Sequence, residues 1–518
     1  MTLSDLSSNL ITILPITTLL AWSCLLLLVD LWIPPGRKWL TAALAAAGLA
    51  LTLGISLAQG GSSMTGFNGM VEVDGFAVFL DVLFLGSGLF AIALAHDYLR
   101  RMEIERGEYY VLLLFSVAGM LLMSVAADLI VVFLSLELLS IPLYVLAGFA
   151  RPKLDSEEAA LKYFLLGAFS GGIMLYGVAL TFGATQTTSL RGVLAAAQDG
   201  SANFTLLTVG AALILIGLGF KVAAVPFHMW TPDVYHGAPS AVTAFMAAGA
   251  KAAGFAALLR VFVIALPDIS ADLTPILWGL AALTMIVGNL LAIAQHNIKR
   301  MLAYSSIAHA GYLLIALAVY GQAPAAGDAV AAADDAVAAA LFYLAAFAVA
   351  NFGVWAVVIS LEKTDLSLET VNRKGLMLED YAGLGRNHPM LAAAMTVFML
   401  SFTGVPPTLG FAGKFYLFRI LLEVNTTPFL ILALIGVLTS LLSAYYYLRV
   451  VVIMYMHAGE PEVRGGISES GGISGSGGIS GSDDAWLSLT AGVTAVATIL
   501  LSLFAAPLFR WAAQAIFY

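Results

Sequence analysis

Four ionisable side chains stand where the surrounding residues are almost wholly apolar. They are Glu137 in LSLELLSIPLYVLAG, Lys221 in GLGFKVAAVPFHMW, Lys251 in AFMAAGAKAAGFAALLR and Lys414 in FTGVPPTLGFAGKFYLF. A lysine or aspartate at the centre of a membrane helix costs about 2.5–3.5 kcal/mol on insertion scales, so a helix that keeps one must pair it, hydrate it or use it. The chemistry open to such groups is proton transfer. In a poorly hydrated site a charged ammonium is disfavoured and gives up its proton more readily, and a nearby carboxylate reverses that effect. A Glu–Lys pair that can separate is therefore a switch of proton affinity, and Glu137 with Lys221 is the candidate pair. Lys251 and Lys414 would be relay stations. His309, in YSSIAHAGY, would stand between them with water, since imidazole and aligned water pass protons without large motion.

Each residue has a plainer reading to set beside this one. A membrane lysine or arginine near a helix end can snorkel, laying its stem along apolar surface while its charge reaches water. That reading fits Lys162, about a turn into its apolar run, and Arg260 and Arg449 as well. It fits Lys221, Lys251 and Lys414 poorly, because they lie deep or beside Gly and Pro residues. His228 and His236 fall on a loop or helix break near the cytoplasmic face and read as structural. Tyr304 would line a water chain or simply pack. Lys162, His228 and Tyr304 are thus secondary candidates for the proton path. Asp81 and Asp128 are expected to be hydrated residues near the outer surface.

The elements that must position these groups are membrane helices. The chain has 518 residues, 61% hydrophobic and 11% charged, against about a quarter charged in a soluble domain. Apolar stretches recur along its length, each close to the roughly 20 residues a helix needs to cross a bilayer. They give about fourteen spans in an all-α polytopic fold; strands of a barrel would be shorter and would alternate apolar with polar. The N-terminus, MTLSDLSSNL, lacks a positive region and leads into a first span rather than a signal peptide core. Net charge is −9 with no basic run, which argues against a nucleic-acid partner. The lone Cys24 makes no disulfide within the chain, and the scattered histidines give no metal-binding spacing.

Charge alternates across the loops. Arg37, Lys38, Arg100, Arg101, Arg151, Lys299, Arg300 and Arg386 fall on one set, while the opposite set carries Glu72, Asp268, Asp272, Asp328 and Asp334. The positive-inside rule then puts the basic loops in the cytoplasm and both termini outside it. Residues 465–482 read GGISES-GGISGS-GGISGS, a flexible linker by composition, and belong to a cytoplasmic loop. Gly217, Gly219 and Pro226 around Lys221, and Pro406, Pro407, Gly410 and Gly413 around Lys414, predict two broken helices, which in transporters carry ion sites at mid-membrane. Each is the fourth helix of a possible five-helix unit. Five is odd, so consecutive units would insert upside down relative to each other, as in an inverted repeat. The resulting division is an N-terminal three-helix segment (1–108), a first unit (109–265), a second unit (266–455), a Gly/Ser-rich loop (456–484) and a C-terminal helix (485–518).

Three stretches carry a family resemblance: PFHMWTPDVYHGAPSAVTAFMAAGAKAAGFAALLR (226–260), QHNIKRMLAYSSIAHAGYLL (295–314) and SFTGVPPTLGFAGKFYLF (401–418). They resemble the antiporter-like membrane subunits of bacterial respiratory complex I (NADH:quinone oxidoreductase), and among these the subunit N branch. The L and M branches typically carry a His-Ala-Ala-Thr-type motif where this chain has Ala250-Lys251-Ala252-Ala253. The resemblance implies a fourteen-helix fold with two inverted five-helix units and one proton pathway. It implies no cofactor in this chain; NADH, flavin, iron–sulfur clusters and quinone would belong to partner subunits. Implied partners are the other membrane subunits, especially M and the small K and J, in a bacterial inner membrane. By matching motifs Glu137 corresponds to the family's fifth-helix acid, Lys221 to its seventh-helix lysine, Lys251 to the eighth, His309 to the tenth and Lys414 to the twelfth. Two features depart from the pattern: His236 stands where a YEGAP-type stretch has an acid, and the GGIS repeat is foreign to it. The alternative is a membrane subunit of a cation/proton antiporter complex, built on similar broken helices.

Overall fold

With no water in the bilayer core, each backbone N–H and C=O must find its partner within the chain. A computed structural model describes residues 9–321, 329–364, 373–458 and 484–515, and nearly all of them are helical. The helices run α1 (Leu14–Asp30), α2 (Trp39–Ala58), α3 (Gly75–Arg101), α4 (Glu108–Ser124), α5 (Leu129–Ala147), α6 (Leu154–Thr185) and α7 (Leu190–Gln198). They continue with α8 (Phe204–Val222), α9 (Trp230–Gly237), α10 (Ser240–Ala265), α11 (Pro267–Ile293), α12 (Ile298–Tyr320) and α13 (Ala329–Leu361). The last five are α14 (Pro389–Thr403), α15 (Leu409–Val424), α16 (Thr427–Met456), α17 (Ala485–Leu503) and α18 (Ala505–Gln514). Among the described residues eleven helices are long and apolar enough to cross a membrane, and α1, α4 and α14 are shorter apolar helices. Strands Met64–Gly66 and Val71–Val73 form a small antiparallel hairpin between α2 and α3. The Gly/Ser repeat at 465–482 lies outside the described residues.

The bundle has an inside and an outside. In α12, α10 and α13 the most apolar stretch is 94%, 89% and 83% buried, against 28% in α17, so those three form the centre and α17 faces outward. Lys251 and His309 therefore lie on the two most enclosed helices. Helix α11 lies close against α12, where Gly288 and Gly311 leave room for the opposing backbone. The outward α17 is tied down at its first turn. Asp97 of α3 accepts hydrogen bonds from Trp486 N at 3.0 Å and Leu487 N at 3.2 Å, and Arg101 pairs with Asp484 at 3.1 Å.

Charges expected at the membrane surface turn out to be enclosed. Arg260 does not snorkel: it is fully buried and pairs with Asp74 through two hydrogen bonds of 2.7 and 2.9 Å. It also donates to Ser124 O at 3.1 and 2.6 Å and lies 4.8 Å over the Phe76 ring. Asp81 is likewise buried, accepting from Ser56 at 2.9 Å and Ser124 at 2.6 Å. Asp128 is a buried N-cap, accepting from Ile130 N at 2.8 Å and Thr188 at 2.7 Å. The physical reason is the same throughout: each charge has enough polar partners to leave water, a condition that hydropathy along one helix cannot reveal.

Candidate proton path

The first group gathers on α5, α6 and α8. Pro142 of α5 has no N–H to give the carbonyl of Leu138, which loosens the helix one residue beyond Glu137. Glu137 is half-buried and near enough to Lys221 to interact electrostatically, but the two form no ion pair. The Lys221 ammonium donates instead to Ser140 Oγ at 2.7 Å and Tyr163 Oη at 3.0 Å. Ser140 is one helical turn from Glu137, so the lysine reaches the same face of α5 as the acid. Helix α8 ends just past Lys221, where Ala223 takes a left-handed φ of 61°, and α9 begins only at Trp230. The break expected around Lys221 is therefore present.

Lys251 stands at the centre. A π-turn at Met246–Ala250 immediately precedes it, and a second π segment, Arg260–Ala265, ends the helix. Such widened turns recur at functional sites. The buried Lys251 Nζ donates to the Ser306 carbonyl at 2.6 Å and to Ser306 Oγ at 2.5 Å, both on α12. His309 follows on the same helix, and both of its ring nitrogens are engaged: Nδ1 with Tyr343 Oη at 2.6 Å and Nε2 with Tyr447 Oη at 3.1 Å. Tyr447 also hydrogen-bonds Ser305 Oγ. Lys251 and His309 are thus linked through neighbouring serines on one helix and a tyrosine from α16.

Lys414 lies beyond the second break. Helix α14 stops at Thr403, Gly404 takes a φ of 88° that favours glycine, and Thr408 caps α15. A Cβ on Gly410 would strike the backbone of Ser401, so the two half-helices cross there in direct contact. The helix break predicted around Lys414 is thus present, as two half-helices. The ammonium of Lys414 donates to Phe402 O at 2.8 Å, Thr403 O at 3.0 Å and Ser440 Oγ at 2.8 Å. It also lies 4.8 Å from the Tyr312 ring, which meets the His309 ring edge-on at 5.9 Å between centroids. A cavity of about 320 Å³ lined by Gly404, Phe411, Lys414, Phe415, Arg419 and Ser440 meets the lysine from outside.

The secondary candidates part from this line. Lys162 is half-exposed and holds two carboxylates, Glu158 at 2.6 Å and Asp233 at 2.7 Å. Arg300 joins Asp233 from the far side at 2.8 Å, which makes a surface ion network. Partial burial opposes ionisation of Asp233, but the hydrogen bonds from Lys162 and Arg300 outweigh it and hold the carboxyl below its ordinary range. His228 is buried in the first break with Nδ1 unpartnered. Tyr304 is half-buried against the apolar core, while its neighbours Ser305 and Ser306 make the polar contacts. Sequence reasoning missed the hydroxyls: Ser140, Tyr163, Ser306, Tyr343, Ser440 and Tyr447. The available signal was the i, i+3 spacing of Ser306 and His309 on one apolar helix.

Comparison with known proteins places this arrangement in context. Residues 126–443 match the family described as NADH:quinone oxidoreductase/Mrp antiporter, transmembrane. The chain is 44% identical over 499 residues to NADH-quinone oxidoreductase subunit N of Chloroflexus aggregans, which covers 96% of this chain and 94% of that one. It is 46% identical over 455 residues to the subunit N of Trichlorobacter lovleyi, covering 88% of this chain and 89% of that one. Among solved structures, a chain of respiratory complex I from Thermus thermophilus with bound aureothin aligns at a TM-score of 0.76 and 34% identity, over 96% of this chain and 99% of that one. A chain of the Mrp complex from Dietzia sp. aligns at 0.79 over 98% and 96%, at 21% identity, a likeness of fold.

Proposed function

The chain belongs to the NADH:quinone oxidoreductase/Mrp antiporter membrane family, and from that premise we propose that Glu137, Lys221, Lys251, His309 and Lys414 are its proton path. It is a proton-translocating, multi-pass membrane subunit of an NADH:quinone oxidoreductase, part of a multi-subunit respiratory complex. In this reading electron transfer from NADH through flavin and iron–sulfur clusters to quinone takes place in partner subunits, with M, K and J as membrane neighbours. The complex sits in the bacterial inner membrane, with both termini of this chain outside the cytoplasm. The helices make fourteen spans, divided as 1–108, two inverted units 109–265 and 266–455, the loop 456–484 and the last helix from 485.

One observation carries the reading: three lysine ammonium groups lie buried, each held by hydroxyls or carbonyls and none by an ion pair among the described residues. An ammonium without a fixed carboxylate gains little from keeping its charge, which suits a group that must release its proton. His309 suits a relay because one nitrogen donates while the other accepts. Exchange of tautomers reverses both bonds to Tyr343 and Tyr447 and moves a proton across the ring. The Lys414 cavity supports an outlet at the far end of the line.

NADH-driven proton uptake by membrane vesicles tests the path. Lys221→Ala and Lys251→Ala should abolish or strongly reduce it while electron entry from NADH into an artificial acceptor persists. Full pumping by both variants would overturn the assignment. Proton movement driven by a sodium or potassium gradient in the absence of NADH would favour the antiporter alternative.

A further inference from the structure

Helices α2, α3 and α17 do not close on one another. A cavity of about 690 Å³ runs between them, lined by Ala42, Ala43 and Ala46 of α2 and by Gly86 and Ala93 of α3, residues too small to fill it. A Cβ at Gly86 would meet no atom within 4 Å. Along α3 the cavity extends from Gly86 to His96, about 15 Å at 1.5 Å per residue. That is half of the roughly 30 Å hydrocarbon core of a bilayer, the depth of one leaflet. A shallower groove of about 630 Å³ shares Leu489 and Val493 with the cavity and follows the outward α17 to Leu501. One end of the cavity is polar. Trp39 and Trp486 stand there, 53% and 50% exposed, as indoles do at the level of lipid headgroups. His96 lines the same end, and its Nδ1 is enclosed with no hydrogen-bond partner. The flanking sequence is basic: Arg37 and Lys38 precede Trp39, and Arg100 and Arg101 follow His96 by about a turn. Lys38 is held by Asp30 at 2.7 Å and Arg101 by Asp484 at 3.1 Å. Asp97 is occupied by the first N–H groups of α17. Arg37 is exposed and has no ion pair among the described residues.

We propose that this cavity binds one anionic phospholipid, with an acyl chain along the alanine wall, the second chain in the groove on α17 and the phosphate between His96 and Arg37. The depth of the cavity matches one leaflet, and its two tryptophans stand where the headgroup would lie. The imidazole Nδ1 can donate to a phosphate or ester oxygen, which supplies the partner it lacks within the chain. Arg37 favours a headgroup that carries net negative charge, because its own charge is not spent on a carboxylate. Bound in this way, the lipid fills the gap that the small residues leave and holds α17 against the N-terminal helices. None of α2, α3 and α17 carries a residue of the proposed proton path, so the lipid site is independent of that reading.

The test places the assembled complex in nanodiscs with a trace of phosphatidylglycerol carrying a photoreactive diazirine at mid-chain. A parallel sample carries the same chain on phosphatidylethanolamine. Labelled peptides are mapped by mass spectrometry after illumination. Phosphatidylglycerol should label peptides of α2, α3 and α17 about fivefold more than phosphatidylethanolamine, the weight of one basic side chain near the headgroup. Peptides elsewhere on the lipid-facing surface should take both lipids alike. Arg37→Ala should bring phosphatidylglycerol down to the phosphatidylethanolamine level. Gly86→Leu puts a side chain into the cavity and should remove most labelling of α2 and α3 by either lipid. Electron entry from NADH into an artificial acceptor checks assembly. If Gly86→Leu fails to assemble, Ala93→Leu fills the same cavity, and the comparison of the two lipids on the wild type decides in either case. Equal labelling by the two lipids in the wild type would reduce the cavity to ordinary lipid contact and overturn the proposal. So would unchanged labelling in an assembled cavity-filled variant. Absence of label from these peptides would assign the cavity to a neighbouring subunit, and displacement of the label by added quinone would assign it to quinone; either result overturns the phospholipid site.

Discussion

Arg260→Leu should destabilise the bundle by about 3–5 kcal/mol, the cost of removing one partner from a buried ion pair. The pair is completely enclosed, with Arg260 0% and Asp74 2% exposed, so no water reaches in to compensate. The guanidinium donates to Asp74 at 2.7 and 2.9 Å and to Ser124 O at 3.1 and 2.6 Å. The carbonyl stranded at Ser124 accounts for about 1–3 kcal/mol of the total. At about 1.4 kcal/mol per factor of ten, the ratio of folded to unfolded chain falls by roughly two to nearly four powers of ten. Asp74→Asn in the same chain removes the uncompensated charge. Its side-chain oxygen can still accept from Ala77 N, a cap bond of 2.8 Å, so the double variant should recover more than half of the loss. Thermal inactivation of the purified complex, with the amount of chain retained in membranes, measures both. Wild-type stability in Arg260→Leu, or a double variant weaker than Arg260→Leu, would refute the reasoning. Lys251 is on the same helix, about 13 Å away along the axis, so a stabilised double variant should regain proton uptake if Arg260 serves only to anchor α10.

Gly410→Ala should cost about 1–3 kcal/mol by forcing the two half-helices apart at Ser401, and should lower uptake more than it lowers assembly because Lys414 reaches across that junction. Asp97→Ala removes the acceptor for two N–H groups at the start of α17. The cost is about 1 kcal/mol, read as faster amide exchange confined to the first turn of α17. Asp233 lies outside the spanning helices, and its carboxyl is held below the ordinary value, so its network stabilises the fold at neutral pH and loses that contribution only as pH falls through the lowered value. The sign follows because the unfolded carboxyl binds its proton first. The size is at most about 1 kcal/mol for so exposed a network. Asp233→Asn should therefore reduce thermal stability slightly at pH 7 and by less near pH 3; an equal loss at both would contradict the assignment.

Much of this was legible in the sequence. The helical fold follows from hydropathy, and both helix breaks follow from Gly and Pro at 217–226 and 406–413. The four charges within apolar helices stood out because their insertion costs demand a reason. What escaped were pairings between distant segments. Arg260 looked like a snorkelling residue because its partner Asp74 lies 186 positions away, and nothing periodic links them. The hydroxyls escaped because serine and tyrosine cost little in an apolar helix and so raise no alarm. Their shared place in the fourth helix of each unit suggested equivalent placements for Lys221 and Lys414. The backbone puts them on opposite sides of their breaks, Lys221 in the last turn before one and Lys414 in the half-helix after the other.

That difference sets what stabilises each lysine. At the first break the nearby carbonyls are already taken: Gly219 O accepts from Ala224 N at 2.8 Å, and Phe220 O accepts from Ala223 N at 3.0 Å and from Trp230 Nε1. Lys221 therefore depends on hydroxyls and on the field of Glu137 across α5. Lys414 instead reaches back to Phe402 O and Thr403 O, the carbonyl end of α14, where the helix dipole is negative. Lys251 takes the Ser306 carbonyl, inside α12 rather than at a helix end. A carbonyl stabilises an arriving proton on the amine without binding that proton itself. A carboxylate can be neutralised, and its stabilising field then vanishes. On the proposed line, and among the described residues, Glu137 is the carboxylate whose counter-charge can be switched, so control of proton entry or exit is proposed at the Glu137–Lys221 end.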